Sequence, residues 1–104
     1  MAIVIVYSKI AQQDLNVIYS YIRRDSVRYA LNEVKLIRAA IRKLKSNSLL
    51  GRKFEKLDNE LTRELIFRNY RIAYDIISDK EIQVLTIHHH ARLITNNPAF
   101  TGED

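Results

Sequence analysis

The stretch from Arg63 to Arg92 decides the fold: Arg63-Glu-Leu-Ile-Phe-Arg-Asn-Tyr-Arg-Ile-Ala-Tyr-Asp-Ile-Ile77, then Ser78-Asp-Lys-Glu81, then Ile82-Gln-Val-Leu-Thr-Ile-His-His-His-Ala-Arg92. Three short runs rich in Ile, Val, Leu, Phe and Tyr are broken at Arg68-Asn69 and at Ser78-Asp79-Lys80-Glu81. Branched and aromatic side chains suit a pleated surface, and Asn, Asp and Ser suit tight turns. The stretch predicts a three-stranded antiparallel meander. Its apolar runs are nearly continuous, so both faces of parts of the sheet are expected to be covered. The same stretch carries Arg63, Arg68, Arg71, His88, His89, His90 and Arg92. Cations kept in and around greasy strands are expected to be displayed to a partner.

Upstream of the meander, Ile3-Val4-Ile5-Val6-Tyr7 reads as a first strand, buried on both faces if it joins the sheet. Ser8 can cap a helix in which Ala11, Leu15, Ile18 and Ile22 form one apolar stripe, widened by Val17 and Tyr21. Arg23-Arg24 would lie in its last turn, where cations complement the carbonyl end. Asp25-Ser26 breaks the pattern. A second helix follows on Ala30, Val34, Ile37, Ile41 and Leu44. Two amphipathic helices across a short break fold back as a hairpin, and the sheet is the surface for it to cover. Residues 46–62 form a connector, expected to be tacked to the core by Leu49, Leu50, Phe54 and Leu57. Residues 95–104, with Pro98 and Gly102, lack periodicity and are expected to fray. The result is one domain over residues 1–104: an α+β fold in the order β-α-α-β-β-β, its N-terminal helical hairpin packed on a mostly antiparallel four-stranded sheet.

The chain has 104 residues, no cysteine, and 17 Lys and Arg against 12 Asp and Glu, a formal net charge of +5. Disulfides and thiolate metal sites are therefore excluded. No apolar run approaches the roughly 20 residues of a membrane helix, and the first residues lack the basic n-region of a signal peptide, so a cytoplasmic location is expected. Residues 1–45 hold nine basic and three acidic groups, so the positive excess lies in the N-terminal half. Such asymmetry fits an acidic partner and equally fits a solubilising surface.

The His88-His89-His90 run invites a metal reading. Alternation in a strand lets His88 and His90 share a face and turns His89 away, and no Cys or paired carboxylate completes a shell, so no metal and no cofactor is expected. As acid–base groups near neutral pH the histidines are better placed; otherwise they simply finish a strand at the sheet edge. Arg71, with Arg63 and Arg68 on the neighbouring strand and Arg92 beyond the last, would make an oxyanion site if the guanidiniums converge. Internal pairing of Arg71 with Asp75 or Glu64 is the competing arrangement. No glycine-rich phosphate loop, nucleophile elbow or helix-turn-helix signature is present.

Arg63-Glu64-Leu65, Tyr70-Arg71-Ile72-Ala73-Tyr74, and Ile82-x-Val84-Leu85-x-Ile87-x-His89 followed by Arg92, in this order after two amphipathic helices, resemble the RelE/ParE superfamily of bacterial type II toxin–antitoxin toxins. The resemblance covers nearly the whole chain. It implies a toxin of a plasmid-stabilisation type module, wrapped by the C-terminal segment of a cognate antitoxin that lays apolar side chains in a groove and either extends a sheet edge or covers the helices. RelE-like members are ribosome-dependent mRNA endoribonucleases. By that likeness Arg71, Arg92, His89 and His90 would be catalytic, and Arg63, Arg68, Arg71 and Arg92 would bind RNA or target. Leu65, however, stands where a second basic residue is expected, and no tyrosine follows Arg92. ParE-like members bind DNA gyrase and need no catalytic set; the Arg-Glu-Leu, Tyr-Arg-Ile-x-Tyr and His-x-x-Arg pattern is similar to theirs. The ParE-like function is expected, with a RelE-like nuclease as the alternative and an inactive basic interaction module as a third.

Overall fold

The computed structural model describes residues 3–54 and 61–89. Its elements are β1 (Val4–Tyr7), α1 (Lys9–Ile22), α2 (Val27–Arg42) with a 3-10 turn at Lys43–Lys45, β2 (Arg52–Lys53), β3 (Thr62–Phe67), β4 (Tyr70–Ser78) and β5 (Glu81–His89). They build a helical hairpin on a five-stranded sheet of order β1-β5-β4-β3-β2, in which β1 runs parallel to β5 and the other pairs are antiparallel. The α+β class, the hairpin and the meander are as expected, but the sheet has a fifth strand. Arg52 and Lys53 pair with Glu64 and Arg63 inside the supposed connector. Two polar residues carry no alternation from which a strand could be read.

The helices form where the stripes placed them. Ser8 Oγ accepts the amide of Ala11 at 3.0 Å and donates to the carbonyl of Leu85 at 2.7 Å, so one hydroxyl caps α1 and ties it to β5. Ser26 Oγ accepts the amide of Tyr29 and caps α2. α1 ends at Ile22, which makes Arg23 its C-cap instead of a last-turn residue. Ala11, Leu15 and Ile18 meet Ile37, Ile41 and Leu44 over Leu65, Tyr70, Ile72, Tyr74, Ile82, Val84 and Ile87. Burial at this scale, about 25 cal/mol per Å² of apolar surface, is what holds the two layers together.

Three burial expectations are corrected. Val17 and Tyr21 are exposed, because only the narrower stripe faces the sheet. β1 joins the sheet at its edge, so Val4 and Val6 are exposed while Ile5 and Tyr7 pack inward. Leu49 and Leu50 are exposed and do not tack the connector down; Gly51 and the Tyr74 hydroxyl do that. Leu57 and residues 95–104 lie outside the described residues.

β1 pairs with β5 only as far as Tyr7–Val84. Beyond it the β5 edge is served by Asp14 of α1, whose carboxylate accepts the Ile87 amide at 2.8 Å and the Thr86 hydroxyl at 2.6 Å. A buried edge amide without an acceptor is costly, so this contact completes the sheet. Asp14→Asn keeps one accepting oxygen and loses the charge. It should lower unfolding free energy by about 1 kcal/mol in a urea titration.

Candidate functional site

The meander sets the position of every described candidate cation. Phe67 pairs with Tyr70 across the two-residue turn Arg68-Asn69, which fixes Ile66 opposite Arg71 and Arg63 opposite Tyr74. Cross-strand partners share a face and neighbours in a strand alternate. Arg63 therefore lies on the helix-covered side with Tyr74, and Arg71 lies on the other side with Ile66. Arg68 occupies the turn between them, with φ of 54°, a conformation that favours glycine. Among the described residues the expected guanidiniums do not converge: Arg63, Arg68 and Arg71 occupy three separate places.

Each of the three also has a partner within the chain. Arg63 Nη1 donates to the carbonyl of Gly51 at 2.9 Å, while its buried Nε has no hydrogen-bond partner. Arg68 Nη1 meets Glu33 of α2 at 3.0 Å, and the Tyr70 hydroxyl donates to the other oxygen of the same carboxylate at 3.1 Å. Glu33 is buried, so this trio pins the β3–β4 turn to α2. Arg71 Nε donates to Glu64 Oε2 at 2.7 Å, and Arg52 Nη2 reaches Glu64 Oε1 at 3.4 Å. Of the pairings left open by sequence, Arg71 takes Glu64; Asp75 is held by Thr62 instead.

His88 pairs with Arg71 and His89 with Tyr70, so the two histidines take opposite faces, as alternation requires. His88 is buried, not at an open edge. The His89 ring stands edge-on to Tyr70, centroids 5.0 Å apart. His90 and Arg92 lie outside the described residues. Among the described residues no group of three His, Cys, Asp or Glu side chains is placed to hold a metal ion, and no helix is long and apolar enough to cross a membrane.

The tyrosines report how dry this region is. Burial raises the pKa of Tyr70, and the adjacent Glu33 carboxylate raises it further, against a smaller opposing effect of Arg68. Burial also raises Tyr74, partly offset by the hydrogen bond from Gly51 and the charge of Arg63. Burial raises Tyr7, offset by Arg38, whose guanidinium carbon lies 5.1 Å from the Tyr7 ring centroid.

Among the described residues on the sheet face away from the helices, Arg71 and His88 stand opposite each other, and Glu64 links Arg71 to Arg52; two of these four, Arg71 and His88, are expected site residues. Sequence did not mark Arg52; it marked Glu64 as one of two pairing options and as part of the Arg63-Glu64-Leu65 motif. A family model described as the ParE toxin of the type II toxin–antitoxin system parDE matches residues 5–94. The chain belongs to the ParE toxin family. Its fold agrees. The structure of a chromosomal ParDE toxin–antitoxin system from P. aeruginosa superposes with a TM-score of 0.69 at 24% identity, covering 85% of this chain and 96% of that one. The RelBE2 toxin–antitoxin complex from Mycobacterium tuberculosis superposes at 0.58 with 16% identity, covering 86% and 99%. A YoeB dimer from Staphylococcus aureus superposes at 0.51 with 22% identity, also over 86% and 99%. Searched by sequence, curated proteins give no match. This ParE-family chain is a type II toxin–antitoxin toxin, with the α+β fold of the wider RelE/ParE superfamily.

Proposed function

We propose that this toxin arrests growth by binding DNA gyrase and is neutralised by a cognate antitoxin. The observation that carries the first half is the dispersal of the cations. Phosphodiester cleavage needs an acid, a base and a charge stabiliser around one accessible spot, whereas Arg63, Arg68 and Arg71 sit on separate surfaces and, of the two described histidines, the one that shares a face with Arg71, His88, is buried. Binding needs only that such groups be presented. In this reading Arg71, partly exposed on the face away from the helices, contacts the target. DNA gyrase is cytoplasmic, which sets the compartment the proposal requires. Purified toxin should inhibit supercoiling in a concentration-dependent way; unchanged gyrase activity at saturating toxin overturns the reading.

The antitoxin half rests on the family and on an unfilled edge. β2 pairs with Arg63 and Glu64 only, which leaves Leu65–Phe67 without a strand neighbour on that side among the described residues. Beside them runs a groove of about 460 Å³ lined by Ala40, Leu50, Leu65, Ile66 and Phe67 and by the charged Lys43, Arg52 and Glu64, two cations to one acid. An extended segment with apolar side chains and acidic flanks would add a strand there and fill the groove. Opposite charge would speed its capture. A neighbouring gene product that fails to co-purify on co-expression overturns this half.

One observation favours a second reading, the ribosome-dependent nuclease. His88, though buried, stands across from Arg71, an imidazole beside a guanidinium on one sheet face. New 5′ ends on translated mRNA after induction, mapped by primer extension, would support it over gyrase binding.

A further inference from the structure

Glu64 is the most deeply buried of the three charged partners, with its side chain 7% exposed, against 31% for Arg71 and 69% for Arg52. It cannot be reached by a macromolecular target, and a buried carboxylate is costly to keep. Its two oxygens go to two different guanidiniums. The register explains how. Arg52 pairs with Glu64 and Glu64 with Ala73, and Arg71 lies two residues along β4 from Ala73. The short Ala73 side chain leaves the carboxylate room to lean diagonally onto Arg71 while still touching Arg52. A guanidinium has five N–H donors. Arg71 gives its Nε to Glu64 and Arg52 gives one Nη2, so among the described residues most donors of both are not used up. Two guanidiniums around one carboxylate leave the group with net positive charge.

We propose that Glu64 is a positioning residue that sets Arg52 and Arg71 side by side as one oxyanion clasp, which takes a carboxylate of the protein target. This rests on the reading that Arg71 contacts gyrase, and it adds Arg52 to the contact set. The Arg71 link is short and fixed. The Arg52 link is long and exposed, so Arg52 is the less tightly held jaw.

Two measurements test the clasp. The first is gyrase inhibition by wild type, Glu64→Gln, Glu64→Asp, Arg52→Ala, Arg71→Ala and the Glu64→Gln/Arg71→Ala double variant, each with its thermal midpoint. Glu64→Gln should weaken inhibition by about tenfold, equivalent to about 1.4 kcal/mol. Glu64→Asp should recover part of that, and Arg52→Ala should weaken inhibition with an unchanged midpoint. In the Arg71→Ala background, Glu64→Gln should add less than about twofold, since aligning Arg52 helps only when Arg71 is there to complete the clasp. Equal losses in both backgrounds, or an inert Arg52→Ala, overturn the proposal.

The second measurement needs no gyrase: acetate titration followed at the arginine Nε–H resonances. Arg52 and Arg71 should respond together with one dissociation constant, weakened at least about fivefold by Glu64→Gln. Separate or absent responses overturn the clasp whatever gyrase does. A joint response from a toxin that leaves gyrase untouched upholds the clasp and removes the gyrase reading alone.

Discussion

Gly51→Ala should cost about 3 kcal/mol of unfolding free energy, the upper end of what overpacking a filled site costs. A Cβ built at Gly51 would lie 2.7 Å from Tyr74 Cε1, 2.8 Å from the Tyr74 hydroxyl and 2.8 Å from the backbone carbonyl oxygen of Glu64. A flexible side-chain tip could yield at little cost, but these neighbours cannot. Tyr74 is fully buried in the core, and its hydroxyl is held from both sides: it accepts the Gly51 amide at 2.9 Å and donates to the Ser48 carbonyl at 2.7 Å. The Glu64 carbonyl belongs to β3 itself. The added methyl must therefore push β2 off the sheet edge or break the Tyr74 bridge. For a chain of this length the thermal midpoint should fall by on the order of 15 °C, measured by circular dichroism or calorimetry. A functional consequence follows from position. Gly51 immediately precedes Arg52, and its carbonyl holds Arg63, so the same substitution displaces two of the basic groups at once. A variant that keeps its midpoint within a few degrees would show that the 48–51 loop is loosely attached and that Tyr74 does not anchor it.

Much of this architecture was legible because its signals are periodic. Two stripes at helical spacing and three apolar runs gave both helices and the meander. β2 was not legible, because its pairing comes from the position of the loop and the Tyr74 bridge, not from its own two residues. The dispersal of the arginines was partly legible. A two-residue turn at Arg68-Asn69 forces Ile66 opposite Arg71, and the parity of the strand then puts Arg63 on the other face. Glu33 and Asp14 carried a signal too. Both sit within the apolar stripes, Glu33 three residues after Ala30 and Asp14 three after Ala11. A lone acid inside a buried stripe implies a buried partner; those partners are Arg68 and Tyr70 for Glu33, and the β5 edge for Asp14. What sequence could not supply is which acid takes which arginine. That depends on the diagonal opened by Ala73, a feature of register and side-chain size together.

Tyr70→Phe should destabilise the protein by about 2 kcal/mol at neutral pH, and the deficit should shrink as the pH rises above 10. At neutral pH the variant loses the hydroxyl that donates to Glu33, leaving one carboxylate oxygen short of a partner in a buried place. At high pH the balance changes because the folded and unfolded tyrosines ionise differently. Tyr70 is 2% exposed, and burial first, then the Glu33 charge, raise its pKa above the ordinary 10.0. Above pH 10 the unfolded chain gives up this proton while the folded chain retains it. The unfolded state then binds fewer protons, so unfolding free energy must fall with pH. The stabilisation associated with the raised value is fully present below pH 10 and is lost progressively above it. Tyr74 and Tyr7, also raised by burial, add to the slope in wild type and variant alike. Phenylalanine has no proton to lose, so the variant's slope is shallower and the two stability curves approach each other. Urea midpoints measured from pH 7 to pH 11 would show this convergence. Parallel curves would mean that the Tyr70 hydroxyl titrates as it does in the unfolded chain, and that Glu33 is held by Arg68 alone.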